Sequence, residues 1–227
     1  MAPKVLVADD HPLFREALRL ALGRALPDAA VIEADSVASL TEAVERNADA
    51  DLLLLDLNMP GAQGFSALVQ VRAHQPSLPV VIISANEDPA VVRRAIAHGA
   101  AGFVPKSSSV EEMVEALRAV LDGDLWVPGG VDLDSPALED GEAETAARLA
   151  TLTPQQFRVL TMLSSGLLNK QIAWELGVSE ATIKAHMTAI MQKLGATNRT
   201  QAVVLAQRLS LDRAAAAPRA AQDGPAA

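Results

Sequence analysis

The chain has no cysteine, which excludes disulfides, thiol nucleophiles and thiolate metal sites. It has no run near the ~18 apolar residues that a membrane helix needs. Its first residues, MAPKVLVADD, reach two acids before the apolar stretch of a signal peptide could build. A soluble, cytoplasmic protein with no membrane contact is therefore expected. No internal repeat is present. Positive charge is scarce in the longer first part: residues 1–150 hold 11 Lys and Arg against 24 Asp and Glu, net −13. Residues 151–227 hold 8 against 4, net +4. Phosphate backbones repel the acidic part and attract the basic one. With 227 residues, half of them apolar, two units with different partners are expected, each able to bury a core.

In the first part, short apolar runs alternate with helical patterns. Lys4 to Ala8, Ala30 to Ala34, Asp51 to Asp56, Pro79 to Ser84 and Gly102 to Pro105 read as strands, several too apolar throughout to have a wet face. Between them, Pro12 to Leu26, Val37 to Arg46, Phe65 to His74, Pro89 to His98 and Ser109 to Leu121 read as helices, the last opened by a Ser109/Glu112 capping box. Alternating βα units imply an α/β fold with a parallel, doubly wound sheet. Such sheets bind ligands at the carboxyl ends of their strands. Asp9 and Asp10 end the first strand, Asp56 the third and Ser84 the fourth, while Lys106 follows the fifth. All five converge on one edge.

Three carboxylates in one place repel each other, so a hard divalent cation with oxygen ligands is their natural occupant. Mg²⁺ prefers one or two carboxylates plus phosphate oxygens, which would bring a phosphoryl group to Asp56, whose carboxylate can attack phosphorus in line. Lys106 adds a second positive charge and Ser84 a hydroxyl donor. As isolated residues they have plainer roles. Asp56 is a solvated turn acid, Asp9 and Asp10 complement a helix N-terminus, Ser84 is a turn residue and Lys106 an exposed lysine.

Residues 122–150 change character, with acids, Gly and Pro and a short helical pattern only near the end; they read as a linker. Beyond Leu211, the Ala/Pro-rich tail 212–227 has nothing to bury and is expected to be disordered. The basic part opens with Thr153 as N-cap, Pro154 at the first helical position and Gln156 completing a capping box. Asn169 to Leu176 reads as a short helix, Gly177 as its left-handed cap and Ser179 as the N-cap of a longer helix, which is helix-turn-helix spacing. On that longer helix Ile183, Met187, Ile190 and Leu194 share one stripe, and Lys184, Ala185, Thr188 and Gln192 fall opposite. This outer face suits a DNA major groove. Asn169, Lys170, Ser179, Thr182, Lys193 and Arg199 are placed to hold phosphates around it. A plain helical domain with a solvated face would show the same amphipathicity.

VLVADDHPLFREAL, DLLLLDLNMPG, VVIISA and GFVPKS, in order over most of residues 3–121, resemble the receiver domain of two-component response regulators of the NarL/FixJ type. NKQIA, SEATIKAH and KLGATNRTQAV, within residues 152–203, are similar to the LuxR-type DNA-binding domain. The resemblance implies a flavodoxin-like five-stranded receiver of strand order 2-1-3-4-5 over residues 1–121. It implies an all-α helix-turn-helix domain over 151–211, with 122–150 between them. It implies that Asp56 is the phospho-acceptor, that Asp9 and Asp10 organise Mg²⁺ with the Asn58 carbonyl, that Ser84 and Phe103 form a switch pair, and that Lys106 contacts the phosphoryl group. Lys184, Ala185 and Thr188 would face the bases. A sensor histidine kinase would donate the phosphoryl group, and two modules on adjacent promoter half-sites would form a homodimer on activation, using receiver faces and the helix Arg199 to Leu209. Phosphorylation would draw Ser84 inward and let Phe103 follow. The chain departs from the family at Pro105, tolerable on an edge strand, and at TPQQ, where Arg-Glu is more usual after Thr-Pro. His11 is read as a helix-start residue, since no second nitrogen or sulfur ligand is in view. Two rivals fit less well. A phosphatase of the haloacid dehalogenase kind would need an acid where Asn58 stands, and a quorum-type sensor would have no use for the acidic set.

Overall fold

The computed structural model describes residues 2–62, 64–138 and 141–209. Five strands alternate with five helices: β1 (Lys4–Ala8), α1 (Pro12–Ala25), β2 (Ala30–Ala34), α2 (Val37–Arg46), β3 (Leu52–Asp56), α3 (Ser66–His74), β4 (Val80–Ser84), α4 (Pro89–Ala97), β5 (Gly102–Pro105) and α5 (Val110–Leu121). The strands are parallel in the order β2-β1-β3-β4-β5. Helices cover both faces, so β3 and β4 are buried along their whole length and need no polar alternation. Order reverses between β1 and β3, which opens the ligand crevice at the carboxyl ends of these strands.

Successive side chains point to opposite faces and make two cores. Val5, Val7, Leu52, Leu54, Val81, Ile83 and Val104 pack with α1 and α5. Leu6, Ala8, Leu53, Leu55, Val80, Ile82 and Phe103 pack toward α2, α3 and α4. Pro105 sits on β5 without disturbing the ladder. Lys106 N donates to Ser84 O at 2.7 Å, while Phe103 N points outward and donates to Trp126 O at 3.0 Å. Two residues on from Phe103, the proline nitrogen falls on that outward side, where β4 asks nothing of it.

Two segments within 122–150 are held by the rest of the chain. Trp126 bridges Gly102 beside β5, and α6 (Glu142–Ala150) buries Glu142, Thr145 and Leu149. Four helices follow: α7 (Pro154–Ser164), α8 (Asn169–Glu175), α9 (Glu180–Leu194) and α10 (Arg199–Gln207). Thr153 and Gln156 form the expected capping box with Pro154 in the first turn. Gly177 takes φ +64 between α8 and α9, a left-handed conformation that other residues adopt at a cost. Helix α10 ends at Gln207, two residues short of the expected Leu209, which is fully buried all the same. The tail from residue 210 lies outside the described residues. No described helix is long and apolar enough to cross a membrane.

The two halves are docked. The α2–α4 core continues without a break into Leu149, Leu152, Phe157, Leu160, Ile183 and Leu209. Helix α3 packs on α6, and α2 on α7. Phe65 N donates to Leu209 O at 2.9 Å, the Gln70 amide reaches Leu149 O, and Arg158 pairs with Glu42 at 2.9 Å. At Gly61 (φ +84), a Cβ would meet Thr161 Cγ2 of α7 at 2.6 Å, so only glycine admits this approach.

Candidate functional site

Strand ends deliver the acidic residues. Asp9 follows β1 and is fully buried, Asp10 is half-buried, and Asp56 closes β3 with 1% exposure. Between them lies the Lys106 ammonium, 2.7 Å from Asp9 Oδ2 and 2.8 Å from Asp56 Oδ2, and 4.8 Å above the Phe14 ring. Burial disfavours the charged amine, but hydrogen bonds and charge from Asp56 and Asp9 outweigh it and raise the Lys106 pKa above the ordinary lysine value. Asp56 Oδ1 accepts from Asn58 N at 3.0 Å, which fixes the carboxylate from its other side. Asn58 itself is exposed. His11, Leu13, Phe14, Asp56, Asn58, Ala85 and Lys106 line a cleft open to solvent.

His11 starts α1 through its main chain, since its carbonyl accepts from Phe14 N and Arg15 N at 3.1 Å each. Its ring lies among the acids, with Nδ1 2.8 Å from Asp10 Oδ1 and 3.3 Å from Asp9 Oδ1. Ligand atoms of Asp9, Asp10, His11 and Asp56 lie within 4.8 Å of one another. Three carboxylates against one lysine leave surplus negative charge, and oxygen donors dominate the set. These residues fit a hard divalent cation such as Mg²⁺.

The Ser84 hydroxyl accepts from Asn86 N at 3.1 Å, and its carbonyl holds Lys106 N. Phe103 lies one strand away and is fully buried. Its ring sits in the core that packs toward α2, α3 and α4.

In the basic half, Ile183, Met187, Ile190 and Leu194 are the buried stripe of α9, and Lys184, Ala185, Thr188 and Gln192 are exposed on its outer side. Lys184 lies 3.6 Å from Glu180, and the Thr188 hydroxyl donates to the Lys184 carbonyl at 3.1 Å. Ser179 caps α9, and its hydroxyl lies 2.8 Å from that of Thr182. Lys170 is exposed and Asn169 half-buried, its Oδ1 without a hydrogen-bond partner. Lys193 and Arg199 are engaged internally. The Lys193 ammonium reaches Thr151 O and Gln156 Oε1, each at 2.7 Å, and Arg199 donates to Leu167 O at 2.7 Å. Gln156 therefore serves both the α7 cap and Lys193. Docking leaves the outer face of α9 open.

Sequence reasoning missed the inter-half residues. Arg94 and His98 gather around the buried Glu142 carboxylate, and Gly61 makes a close approach. Gly61 lies in an evident turn, but nothing local in the chain marks the helix that packs on it.

A doubly wound unit with an acidic pocket at its strand ends, joined to a helix-turn-helix with an open polar face, defines a two-part DNA-binding regulator. The model of the response regulator receiver domain matches residues 5–118, and that of bacterial regulatory proteins of the luxR family matches 150–206. The chain belongs to the two-component response regulators that carry a LuxR-type helix-turn-helix. It is 40% identical to a glycerol metabolism activator of Pseudomonas putida over 208 residues, 89% of this chain and 94% of that one. It is 37% identical to a probable transcriptional regulatory protein NarL of Mycobacterium tuberculosis over 213 residues, 92% of this chain and 95% of that one. Among solved structures it resembles RcsB of Salmonella enterica serovar Typhimurium bound to a promoter in the presence of the phosphomimetic BeF3⁻. That match has a TM-score of 0.51 and 26% identity, covering 92% of this chain and 100% of that one.

Proposed function

We propose that this chain is a transcription regulator switched by phosphorylation of Asp56 from a partner histidine kinase. It acts in the cytoplasm as a phospho-acceptor and not as an enzyme. The observation that carries the reading is the Lys106 ammonium bridging two buried carboxylates at the mouth of an open cleft. In the transfer, an Asp56 carboxylate oxygen attacks phosphorus, and the bond from phosphorus to the donor nitrogen of the kinase's phosphohistidine breaks, leaving the electron pair on nitrogen. Lys106 then turns from the carboxylates toward a phosphoryl oxygen, and the Ser84 hydroxyl donates to another. Mg²⁺ held by Asp9, Asp10, Asp56 and the Asn58 carbonyl would neutralise the incoming charge.

The receiver comprises residues 1–121, the linker 122–150 and the DNA-binding domain 151–211, with the tail 212–227 beyond. Promoter DNA meets α9, where Lys184, Ala185 and Thr188 face bases. Lys170, Asn169, Ser179 and Thr182 meet phosphates, and Lys193 and Arg199 do so only by giving up the carbonyls they now hold. Phosphorylation favours a homodimer, since two small modules on adjacent half-sites gain effective concentration. The test is labelling by a small phosphodonor with Mg²⁺. Wild type takes label and Asp56→Asn does not, while Asp10→Ala weakens Mg²⁺ binding. Label persisting in Asp56→Asn would move the chemistry elsewhere.

A further inference from the structure

Glu142, in the first turn of α6, lies in the stretch that the phosphoryl chemistry does not use. Its carboxylate takes Arg94 Nε at 3.0 and 3.2 Å and lies 2.7 Å from His98 Nε2. All three side chains are 3% exposed. The Arg94 guanidinium stands 4.8 Å over the Phe65 ring, whose centroid is 5.3 Å from that of His98. Phe65 N in turn holds Leu209 O, just past α10. One cluster thus joins the end of α4, the start of α6 and the end of α10.

A buried charge is tolerated only while its partners stay in place, and a cluster that has lost one member leaves the others uncompensated. Separation into water restores hydration to every member. Such a contact therefore tends to be either closed or fully open, which is the behaviour of a switch element.

The other end of α4 is tied to the acidic pocket by three consecutive bonds. Asn86 N donates to Ser84 Oγ (3.1 Å), Asp88 N to Asn86 Oδ1 (3.0 Å), and Ala90 N to Asp88 Oδ1, the α4 N-cap (2.8 Å). A Ser84 hydroxyl that turns to another acceptor gives up the geometry that holds the first of them. Helix α4 is nine residues long, so a tilt at its start reaches Arg94 and His98 as a rigid displacement.

We propose that Arg94, His98 and Glu142 form a latch. It holds α6 and the end of α10 on the receiver, and it opens when Ser84 turns to a phosphoryl oxygen on Asp56 and α4 shifts. The proposal rests on phosphorylation at Asp56. It assigns docking a role other than shielding the recognition helix, whose outer face is already exposed. The latch withholds α6 and the α10 end from a second copy of the chain.

Hydrogen exchange of the full chain, read by mass spectrometry over 142–150 and 202–209, tests it, with 52–56 reporting the integrity of the sheet. In wild type, beryllofluoride with Mg²⁺ speeds exchange in both outer segments by on the order of tenfold. Glu142→Gln is already fast without it and gains little more, while 52–56 stays protected and Asp56 still takes label from a small phosphodonor. Asn86→Ala, which removes the side-chain oxygen that holds Asp88 N and so cuts the path from Ser84 to α4 while leaving the cluster intact, starts slow and responds less than wild type. Slow exchange in Glu142→Gln, or an undiminished response in Asn86→Ala, overturns the latch. No label on wild-type Asp56 removes its input and the phosphorylation reading together. Label on Asp56 with unchanged exchange over 142–150 in wild type removes the latch alone.

Discussion

The two faces of the sheet are built by the same alternation of side chains, yet they end differently. Toward α1 and α5 the core is closed within the receiver, and the outer surface of α1 leaves Leu13 and Leu20 exposed. Toward α2, α3 and α4 the core runs on through α6 and α7 into the helix-turn-helix half. One face is covered by the receiver's own helices alone; the other is covered in addition by the helix-turn-helix half. Damage on the first face stays local, and damage on the second reaches the DNA-binding half.

The largest contrast is expected from two core truncations. Phe65→Ala removes the ring beneath Arg94 and His98 and should cost ~3–5 kcal/mol in urea unfolding. It should also admit trypsin at Arg148. Leu117→Ala on the α5 side should cost ~2–5 kcal/mol while leaving the trypsin pattern of the folded protein unchanged. A common proteolysis pattern for the two would erase the distinction between faces.

Smaller changes sharpen the same contrast. Lys184→Ala touches neither core and should lower specific DNA affinity by ~1–3 kcal/mol, with unaltered thermal unfolding; a footprinting titration reads the first and calorimetry the second. Gly61→Ala forces a left-handed alanine, worth ~1–2 kcal/mol, against Thr161. Because that contact exists only in the docked form, small-angle scattering should show a larger radius of gyration for the variant. The Arg158–Glu42 pair is partly exposed, at 19% and 40%. Its removal by Arg158→Ala should change stability by less than ~1 kcal/mol, with no measurable opening in the same scattering experiment.

Much of the pocket was legible because its logic is local. A strand too apolar to face water, ending in Asp56, places an acid at a sheet edge, and the βα alternation brings Asp9, Asp10, Ser84 and Lys106 to the same edge. Capping residues located the starts of α5, α7 and α9 for the same reason, since each cap closes within four residues. Glu142 was not legible. It follows a glycine in an acidic stretch that reads as tether, and its partners lie 44 and 48 residues earlier, on a helix whose own period gives no sign of them. Lys193 reads as a phosphate-seeking lysine on a basic helix, and its internal bonds depend on where the α6–α7 junction packs. Long-range packing of one half on the other decides both, and no pattern within either segment encodes it.

Mass and DNA binding measured together test the central claim most directly. Light scattering on the full chain, with and without beryllofluoride plus Mg²⁺, is paired with titration of a promoter fragment. A monomer is expected without the phosphoryl mimic and a dimer with it, the dimer binding the promoter more tightly, and Asp56→Asn showing neither change. Equal mass and equal affinity in the two states would contradict it.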